Sequence, residues 1–410
     1  MKVWIVSDGE PLPVDGENTR LRRMGNLANY LSDKGHTVTW FAKTFDHHKK
    51  KQRADKDVKI SVRPNYTLNL SYVEGYKKNV SIGRLLSRYK TAERINSKFF
   101  ETEKPDIIIA TMAHVDLTNY ACEYGLKYDV PVVVDVRDLW PAFIGDMVKP
   151  IMRKILIPYI KYHELKLSKM MKKAYAIIGL SDYFLEYGLK YAKRARKTED
   201  TVIPIGYPNY DYTNFRGRIN GYWNGLNDND FIIACTGTFS QQFDYSSVIE
   251  ASRLLEGQDD IKFVLCGTGV QFDSIKNRVG ANVIMPGWVE KEQISSLLIN
   301  SKVGLIPYID GINYRGNTPN KFGEYLSANL PILVSVTGSM EKLLKENKCG
   351  YFYSNGKDLA EKILDYRNNS QKQRADSKNS RTLYERMFNG DKVTVELADY
   401  LLKTAKTYKK

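Results

Sequence analysis

A short predicted helix and the turn before it carry four side chains whose chemistry suits a phosphorylated ribose: Thr318, Asn320, Lys321 and Glu324. The segment 314–334 reads YRGNTPNKFGEYLSANLPILV, in which a proline-containing turn precedes the helix NKFGEYLSA and the apolar run ILV predicts a buried strand. The free backbone N–H groups at the start of a helix attract anions, and Lys321 adds a full positive charge beside them. Glu324, one turn later, can accept two hydroxyl hydrogen bonds. The spacing therefore predicts a site for a diphosphate and the ribose attached to it.

This segment resembles the donor-site motif of GT-B glycosyltransferases of family 4, in the bacterial polysaccharide subgroup whose motif reads roughly PNKxFEYLxxGxPI. The resemblance implies a nucleotide-sugar donor, with Glu324 binding the ribose of the nucleoside. The wider family often has a second glutamate eight positions earlier, near the donor sugar, where this chain has Gly316. The alternative is an ordinary helix N-terminus packed on a sheet, with Glu324 in solvent.

The length and composition of the chain predict two globular domains. A chain of 410 residues exceeds one ordinary domain, and 42% hydrophobic residues suffice for two cores. The four cysteines have no metal-binding spacing, and we expect them to be reduced and buried, as in a cytoplasmic protein. The start MKVWIVSDGE does not resemble a signal peptide, and no apolar run approaches ~18 residues. We expect neither secretion nor a membrane span.

Apolar strand-like runs alternate with helical patterns along most of the chain. This order predicts an α/β fold with parallel sheets, in which ligands bind beyond the carboxyl ends of the strands. The resemblance makes the fold class GT-B: two Rossmann-like, doubly wound domains facing a central cleft. We predict an N-terminal acceptor-binding domain over 1–206, a linker over 207–228 and a donor-binding domain over 229–385. The final helix, 386–410, is expected to pack back toward the first domain.

The loop after the first strand is a candidate acceptor-binding element. Its sequence DGEN, at 15–18, resembles the glycine-bearing loop of GT-B enzymes, so Gly16 is expected there. Arg20 is the predicted acceptor-phosphate ligand, and Arg22 and Arg23 are further candidates in the same position. For any single arginine, the alternative is a solvated side chain on a surface helix.

Two further candidates follow buried strands of the first domain. His114 comes after PDIIIATMA, and the segment 137–141 reads RDLWP, which matches the same glycosyltransferase subgroup. The resemblance implies catalytic roles for Asp138 and His114 and an acceptor contact for Arg137. A carboxylate can take up the acceptor's proton, and a histidine titrates near neutral pH. The alternatives are a helix N-cap for Asp138 and a satisfied loop histidine for His114.

Glycine turns follow two strands of the second domain and complete the predicted donor site. Gly237 and Thr238 form the first turn, and Gly267 and Gly269 form the second, where glycine lets backbone approach a ligand. By resemblance, backbone at Val289 meets the nucleobase. The family often has an arginine and a lysine after the first glycine, whereas this chain has SQQF at 240–243. Lys321 is therefore the main predicted cation for the diphosphate.

The net charge of +15 is concentrated in one stretch. Residues 149–197 contain 13 basic and three acidic residues, with Ile, Leu and Tyr interleaved at helical spacing. We expect this stretch to contact an anionic membrane surface, with Pro158 breaking its helix. The alternative is that its apolar residues pack on the sheet. No nucleic-acid module is recognisable, and the basic run HHKKKQR is interpreted as a solvated loop.

The combined prediction is a retaining glycosyltransferase that moves a sugar from a nucleotide-diphosphate sugar, UDP-sugar first, to a lipid-linked or growing polysaccharide acceptor. We expect a cytoplasmic enzyme, peripheral on the inner face of the membrane, in cell-surface polysaccharide biosynthesis. No Asp-x-Asp motif lies at a convincing strand end, so we expect neither a metal nor a cofactor besides the nucleotide-sugar co-substrate. The alternatives are a GT-B sugar-nucleotide epimerase and a catalytically inactive GT-B scaffold at the membrane.

Overall fold

The computed structural model describes residues 1–17, 19–78, 81–146 and 150–409. The chain divides into two compact units. Unit 1 contains Met1–Pro204 and Val393–Lys410, and unit 2 contains Ile205–Lys392. Asn18, in the predicted acceptor loop, and Lys149, at the start of the basic stretch, lie outside the described residues.

The strands of unit 1 are mostly short, apolar and β-branched, as expected for a buried parallel sheet. They are β1 (Lys2–Val6), β2 (Thr37–Lys43), β3 (Phe45–Asp46), β4 (Lys51–Gln52), β5 (Val58–Arg63), β6 (Tyr66–Ser71), β7 (Ile107–Thr111), β8 (Val132–Val136), β9 (Ala176–Gly179) and β10 (Thr201–Val202). The helices are α1 (Arg23–Asp33), α2 (Ile82–Phe99), α3 (Val115–Tyr128), α4 (Pro150–Met171) and α5 (Asp182–Ala192), with a 3₁₀ turn at Ala142–Asp146.

Eight of these strands form one sheet in the order β10-β9-β8-β7-β1-β2-β6-β5. Neighbouring strands are parallel except β5, which pairs antiparallel with β6, and β3 pairs with β4 in a separate hairpin. Val6 at the end of β1 is in register with Phe41 of β2 and Ala110 of β7. The carboxyl ends of these strands therefore meet at one edge, where the residues that follow them come together.

Both faces of this sheet are covered. On one face, Leu27 of α1 and Leu397 near the C-terminus join a core with β-strand residues such as Ile5. On the other face, the rings of Trp4 and Phe99 stack with centroids 5.4 Å apart. Such two-sided burial explains why the strands read as continuous apolar runs rather than as alternating patterns.

Helix α4 corrects one prediction about the basic stretch. Pro158 lies inside the helix, which continues to Met171 instead of breaking. Leu167, Met170 and Met171 are fully buried, so packing of the C-terminal half outweighs the hydrogen bond that a proline removes. Within the described residues, no helix combines the length and apolar character needed to cross a bilayer.

Unit 2 repeats the strand–helix alternation. Its strands are β11 (Phe231–Thr236), β12 (Ile261–Cys266), β13 (Val283–Gly287), β14 (Val303–Ile306), β15 (Ile332–Val334) and β16 (Gly350–Phe352). Its helices are α6 (Ser246–Leu254), α7 (Phe272–Lys276), α8 (Lys291–Asn300), α9 (Ile312–Gly316), α10 (Asn320–Ser327), α11 (Ser339–Asn347), α12 (Gly356–Asn368) and α13 (Ser370–Leu383), followed by a π-helical turn at Tyr384–Phe388. Helix α14 (Gly390–Tyr408) begins in unit 2 and belongs to unit 1 from Val393 onward.

The sheet of unit 2 is parallel throughout, in the order β13-β12-β11-β14-β15-β16. Strand β11 lies between β12 and β14, so the order of the strands reverses beside it, a position where ligands of open α/β sheets bind. The two sheets confirm the predicted class of two Rossmann-like α/β domains.

The segment 207–228, predicted as a linker, is instead part of unit 2. Five of its side chains are buried in the core of this unit: Tyr207, Tyr212, Ile219, Trp223 and Leu226. The sequence is polar and lacks periodicity, which favoured a linker. Its widely spaced aromatic and aliphatic residues nevertheless bury enough apolar surface to fix the segment.

Candidate functional site

Helix α10 places the predicted donor-binding residues of unit 2. It begins at Asn320, which is exposed, and Pro319 at the N-cap position has no side-chain acceptor for the free N–H groups of the first turn. Thr318 is 3% exposed, and its Oγ1 has no hydrogen-bond partner in the described part of the chain. The start of α10 therefore places a buried hydroxyl without a described partner beside the first backbone N–H groups of the helix.

The ammonium group of Lys321 lies at the same helix end. Its Nζ is buried and, among the described residues, makes no hydrogen bond. It lies 4.1 Å from the ring centre of Phe243 and 5.7 Å from that of Tyr308. Burial lowers the pKa of Lys321, and only the acidic groups of Cys235 and Glu324 act to raise it. A buried cation without an anion is costly, which is the electrostatic condition for binding a phosphate.

The carboxylate of Glu324 is held by two hydroxyl groups of unit 2. Tyr207 donates a hydrogen bond to Oε1 at 2.6 Å, and Thr236, at the end of β11, donates to Oε2 at 3.1 Å. A carboxylate has about four acceptor positions, so one remains on each oxygen. Glu324 is therefore not simply a solvated helix residue, and its remaining positions suit a pair of neighbouring hydroxyls.

The glycine turns lie at the carboxyl ends of β11 and β12. Gly237 has φ +131°, and a Cβ there would lie 2.9 Å from Nζ of Lys321, so this glycine leaves room for the ammonium. A Cβ at Gly267 would lie 1.7 Å from the carbonyl oxygen of Gly237, and one at Gly269 would lie 2.4 Å from that of Phe239. In this structure, the second glycine turn makes room for the protein's own backbone rather than for a ligand.

Two other predicted donor residues have less direct support from the geometry. Thr238 is exposed in the turn after β11. Val289 is partly buried and packs against the core of unit 2, while the neighbouring Trp288 is 77% exposed. The structure thus brings Lys321, Glu324 and Gly237 together, and it leaves the contact of Val289 with a base as a prediction.

In unit 1, His114 lies among charged groups at the carboxyl edge of the sheet. The ring is 4% exposed, and neither of its nitrogens has a hydrogen-bond partner within the described ranges. Its Nδ1 is 3.9 Å from Oδ2 of Asp8, which accepts a hydrogen bond from Lys43 at 2.8 Å. Burial and the positive charge of Arg88 lower the pKa of His114 well below its usual value. We therefore expect a neutral imidazole at pH 7, with an N–H and a lone pair available to a ligand.

Asp138 lies in the same region, after β8. Its Oδ1 accepts a hydrogen bond from the backbone N–H of Trp140 at 3.1 Å, and the 3₁₀ turn starts at Ala142. In the described structure no helix starts at Leu139, so Asp138 is not the N-cap of such a helix. Burial raises the pKa of Asp138, and Arg88 and Arg137 act to lower it. Because the carboxylates of Asp8 and Asp138 both act on the pKa of Arg88, these groups share one neighbourhood.

Arg137, predicted to bind the acceptor, is mainly engaged inside the unit. Its Nε donates to Oδ2 of Asp135 at 2.7 Å, and its Nη1 forms an ion pair with Glu10. Arg23 bonds the same Asp135 at 3.1 Å and the carbonyl of Pro204 at 2.7 Å, so it does not face an acceptor as the sequence suggested. Only Nη2 of Arg137 is left without a partner in the described structure.

Gly16 and Arg20 line a cavity of about 690 Å³ in unit 1. Exposed basic side chains from two loops surround it, namely Arg20, Arg22, His48 and Lys49. Asp15 closes one side, where Arg53 Nη2 bonds its Oδ2 at 2.7 Å. Gly16 has φ +132°, which explains the glycine in this turn. Glu17 and Asp46 also line the cavity, so its lining carries both signs of charge, and an acceptor contact of Arg20 stays a prediction.

Comparison with known proteins adds the family of unit 2. Residues 223–383 match the family model described as Glycosyl transferases group 1. Unit 2 therefore contains a group 1 glycosyl transferase domain. This match spans less than half of the chain, and no curated protein matches the chain by sequence.

Solved structures resemble the whole chain. Sucrose-phosphate synthase from Thermosynechococcus elongatus has a TM-score of 0.73 at 14% identity, covering 99% of both chains. WaaG, a glycosyltransferase involved in lipopolysaccharide biosynthesis, has a TM-score of 0.65 at 15% identity, covering 98% of this chain and 99% of its own. Anabaena HepE, in complex with UDP and glucose, has a TM-score of 0.63 at 13% identity, covering 98% of each. These likenesses confirm the predicted GT-B fold.

Sequence reasoning missed several residues around the glycosyl transferase domain's helix α10. Tyr207 lies 117 positions before Glu324, in the segment taken for a linker. The rings of Phe243, Tyr308 and Tyr314 stack beside Lys321, with centroids 4.6 and 4.7 Å apart. One available signal was Gly323, which stands where the resembled motif has phenylalanine and leaves space for a side chain from elsewhere.

Proposed function

We propose that the protein is a retaining glycosyltransferase. It transfers a sugar from a nucleotide-diphosphate sugar, a UDP-sugar first, to a lipid-linked or growing polysaccharide acceptor in cell-surface polysaccharide biosynthesis. The family match of residues 223–383 supports the reaction class. Complexes of structurally similar proteins with UDP or UDP-sugars support the choice of donor.

The observation that carries this proposal is the pair of unsatisfied polar groups at the start of α10. Nζ of Lys321 and Oγ1 of Thr318 are buried without hydrogen-bond partners in the described part of the chain. A diphosphate bound at this helix end would neutralise the ammonium, accept the hydroxyl hydrogen and meet the free backbone N–H groups. The stretch 240–243, where the family often has cations, instead places the ring of Phe243 beside Lys321, so we take Lys321 as the principal cation of the site.

The same groups suit the chemical step. The bond between the anomeric carbon and the diphosphate oxygen breaks while the acceptor oxygen bonds to that carbon, and negative charge grows on the leaving diphosphate. Lys321 and the N-terminus of α10 stabilise this charge in a site already organised for it. Asp138 is the candidate to take the acceptor's proton, and the raised pKa that burial gives it suits a base. His114, as a neutral hydrogen-bonding group, is a candidate to orient the sugar. We expect transfer to persist in EDTA, and loss of activity there would contradict a metal-independent reaction.

We propose further that the enzyme is cytoplasmic and peripheral on the membrane. One face of α4 is exposed and mixes apolar with basic side chains at spacings of three, four and seven residues, which places them on one stripe of the helix. This α4 stripe consists of Lys154, Ile155, Pro158, Lys161, Tyr162, Leu165 and Lys169. Apolar side chains interleaved with lysines in such a stripe suit an anionic lipid surface.

Calorimetric titration with UDP, GDP, dTDP and CMP tests the proposal. We expect one diphosphate to bind, and Glu324→Ala to weaken it by ~1–3 kcal/mol through the loss of hydrogen bonds to a charged group. Glu346→Ala, which removes an exposed carboxylate of α11, is the matched control and should bind as the wild type does.

If no nucleotide binds, the alternative of a catalytically inactive scaffold is favoured. Gly316 and the lack of a cation in 240–243 are consistent with that alternative.

If a nucleotide binds, incubation with the matching nucleotide sugar distinguishes a glycosyltransferase from an epimerase. A transferred sugar supports the glycosyltransferase, and a free isomer of the sugar supports the epimerase.

A further inference from the structure

Tyr207 forms a hydrogen bond with the carboxylate of Glu324, the group that is proposed to bind the ribose. Its phenolic hydroxyl donates to Oε1 of Glu324 at 2.6 Å, and Thr236 donates to Oε2 at 3.1 Å. Both donors come from segments that precede the motif in the sequence, and they leave one acceptor position on each oxygen. A ribose has two neighbouring hydroxyls, at the 2′ and 3′ carbons, and each can donate one hydrogen bond. The two remaining acceptor positions of Glu324 thus match the two hydroxyls of a ribose. A 2′-deoxyribose lacks the 2′-hydroxyl and would leave one of these positions without a donor.

Tyr207 is fixed by its backbone. Its N–H donates to the carbonyl of Phe388 at 2.8 Å, and its carbonyl accepts from the N–H of Gly390 at 2.8 Å and from the hydroxyl of Tyr384 at 2.9 Å. The residue is 4% exposed. With its main chain held at three points and its side chain buried, the phenol has few alternative positions, so its bond to Glu324 is pre-organised.

Two glycines provide the space that Tyr207 occupies. A Cβ at Gly323, the residue before Glu324, would lie 2.9 Å from Cβ of Tyr207. A Cβ at Gly390 would lie 2.9 Å from the carbonyl oxygen of Tyr207. Any side chain at position 323 would push Tyr207 away from the carboxylate. The glycine at position 323 of α10 therefore leaves the space that the side chain of Tyr207 occupies.

The contact also lies close to both places where the chain passes between its two units. Tyr207 is three residues after Pro204, and Gly390 is three residues before Val393. The hydrogen bonds between these segments and the bond from Tyr207 to Glu324 form one connected set within unit 2.

We propose that Tyr207 is a positioning residue that makes the donor site selective for ribonucleotides. It orients Glu324 so that the two free acceptor positions of the carboxylate receive the 2′- and 3′-hydroxyls together. This inference rests on the proposed function, because it takes the ligand of Glu324 to be the ribose of a nucleoside diphosphate.

The test compares UDP with 2′-deoxy-UDP by calorimetric titration of the full-length wild type and of Tyr207→Phe. We expect the wild type to prefer UDP, and the variant to bind UDP about tenfold more weakly, the size expected for one hydrogen bond to a charged group. The affinity of the variant for 2′-deoxy-UDP should fall less. The variant should therefore prefer UDP over 2′-deoxy-UDP by a smaller factor than the wild type does. Phenylalanine keeps the ring and the three backbone bonds of Tyr207, and an unchanged melting temperature would verify that the variant is folded.

Two matched variants separate positioning from a general structural role. Tyr210→Phe removes a neighbouring phenol, whose ring centre is 5.8 Å from that of Tyr207, and should leave the preference unchanged. In a Glu324→Ala background, Tyr207→Phe should cause no further loss, because the residue acts through Glu324.

Each failure has a distinct signature. If UDP binds the wild type and Tyr207→Phe keeps the full preference for UDP over 2′-deoxy-UDP, the role of Tyr207 is wrong and the proposed function stands. Tighter binding of dTDP, which lacks the 2′-hydroxyl, than of UDP or GDP would also overturn the role of Tyr207. If none of these diphosphates binds the wild type, both the proposed function and this inference are wrong.

Discussion

Nζ of Lys321 lies 4.1 Å from the centre of the Phe243 ring, with no hydrogen-bond acceptor for its protons among the described residues. A cation over an aromatic ring gains ~0.5–2 kcal/mol, less than the cost of removing an ammonium from water. The unliganded protein therefore retains an unfavourable charge inside unit 2. A bound anion would remove this cost. The buried ammonium therefore lowers the stability of the free protein and raises its affinity for an anion.

Lys321→Met should separate these two effects. Methionine keeps the length and apolar contacts of the side chain and removes the charge. We expect the free energy of unfolding to rise by about 1 kcal/mol or more, because a buried unpaired cation is lost. The affinity for the diphosphate should fall by about 2 kcal/mol, roughly 30-fold in Kd. Urea denaturation and calorimetric titration measure the two quantities.

Lys291→Met is the control for this prediction. Lys291 also lies over a ring, 4.5 Å from the centre of Tyr210, but it is exposed at the start of α8. Its substitution should change neither stability nor affinity by more than ~0.5 kcal/mol. A Lys321→Met protein that is less stable than the wild type would show that the ammonium has a partner we have not identified.

The lowered pKa of Lys321 predicts a pH dependence of stability. Burial lowers the pKa in the folded protein below its unfolded value, so the unfolded chain binds the proton more tightly. The penalty is fully present below the folded pKa and is relieved as the pH rises toward the unfolded pKa of ~10.4. The free energy of unfolding of the wild type should therefore rise relative to that of Lys321→Met between pH 7 and pH 10.

Comparing two variants is essential in this experiment. Cys235, Glu324 and Tyr308 lie near Lys321, and burial raises the pKa of both Cys235 and Tyr308. Ionisation of these two groups destabilises both proteins at high pH, and Lys321 reduces this loss in the wild type because it acts to lower the pKa of Cys235. Only the difference between the two unfolding curves reports on Lys321. A difference that stays constant with pH would contradict the lowered pKa.

The sequence predicted local features of the donor helix well. The proline-containing turn before it and the strand-like run ILV after it predict a short helix NKFGEYLSA, and α10 indeed spans Asn320–Ser327. The parallel sheets followed from apolar runs separated by helical patterns, since both signals are local and repeated. Lys321 and Glu324 were identified for the same reason: the helix alone places them.

Contacts between distant parts of the chain were beyond the sequence. Nothing near Tyr207 shows that its hydroxyl meets Glu324, because the contact depends on how segments 117 positions apart pack. Arg137 was assigned to the acceptor from its motif, yet its main partners are Asp135 and Glu10, the latter 127 positions away. A single sequence indicates which groups are charged, while packing decides which of them neutralise each other.

Asp8 and Lys43 provide a test of the buried charges in unit 1. Burial raises the pKa of Asp8, but Lys43, His114 and Arg88 outweigh it, so the net pKa is lowered. The ionised carboxylate of Asp8 therefore stabilises the folded protein. This contribution is fully present above the pKa of Asp8 in the unfolded chain, ~3.9, and is lost as the pH falls through its lower pKa in the folded protein. We expect Lys43→Met to cost about 3 kcal/mol at pH 7, because Asp8 is left buried without its closest partner.

The double variant Lys43→Met/Asp8→Asn should recover most of that loss, since no isolated carboxylate remains. The cost of Lys43→Met alone should also shrink toward pH 4, where Asp8 takes up a proton. Lys59→Met, at an exposed position of β5, is the control and should change the free energy of unfolding by less than ~0.5 kcal/mol. Equal destabilisation by the single and double variants would argue against a charge effect.

The α4 stripe predicts binding to anionic vesicles. Ile155 and Leu165 are 64% and 71% exposed, and the three lysines of the stripe each contribute ~1 kcal/mol near an anionic surface. The protein should sediment with vesicles of phosphatidylcholine and phosphatidylglycerol and remain unbound with phosphatidylcholine alone. Replacing the lysines at 154, 161 and 169 by glutamine should weaken binding about 100-fold, and added salt should weaken wild-type binding similarly.

The apolar residues of the stripe distinguish membrane insertion from simple charge attraction. Ile155→Ser/Leu165→Ser keeps every charge, so it should reduce the binding that persists at high salt, while Leu254→Ser, an equally exposed leucine of α6 in unit 2, should not. If the serine variant binds as the wild type does, the lysines alone attract the surface. If the wild type binds neither vesicle, the stripe is a solvated helix face, and the lipid-linked acceptor must reach the enzyme by another surface.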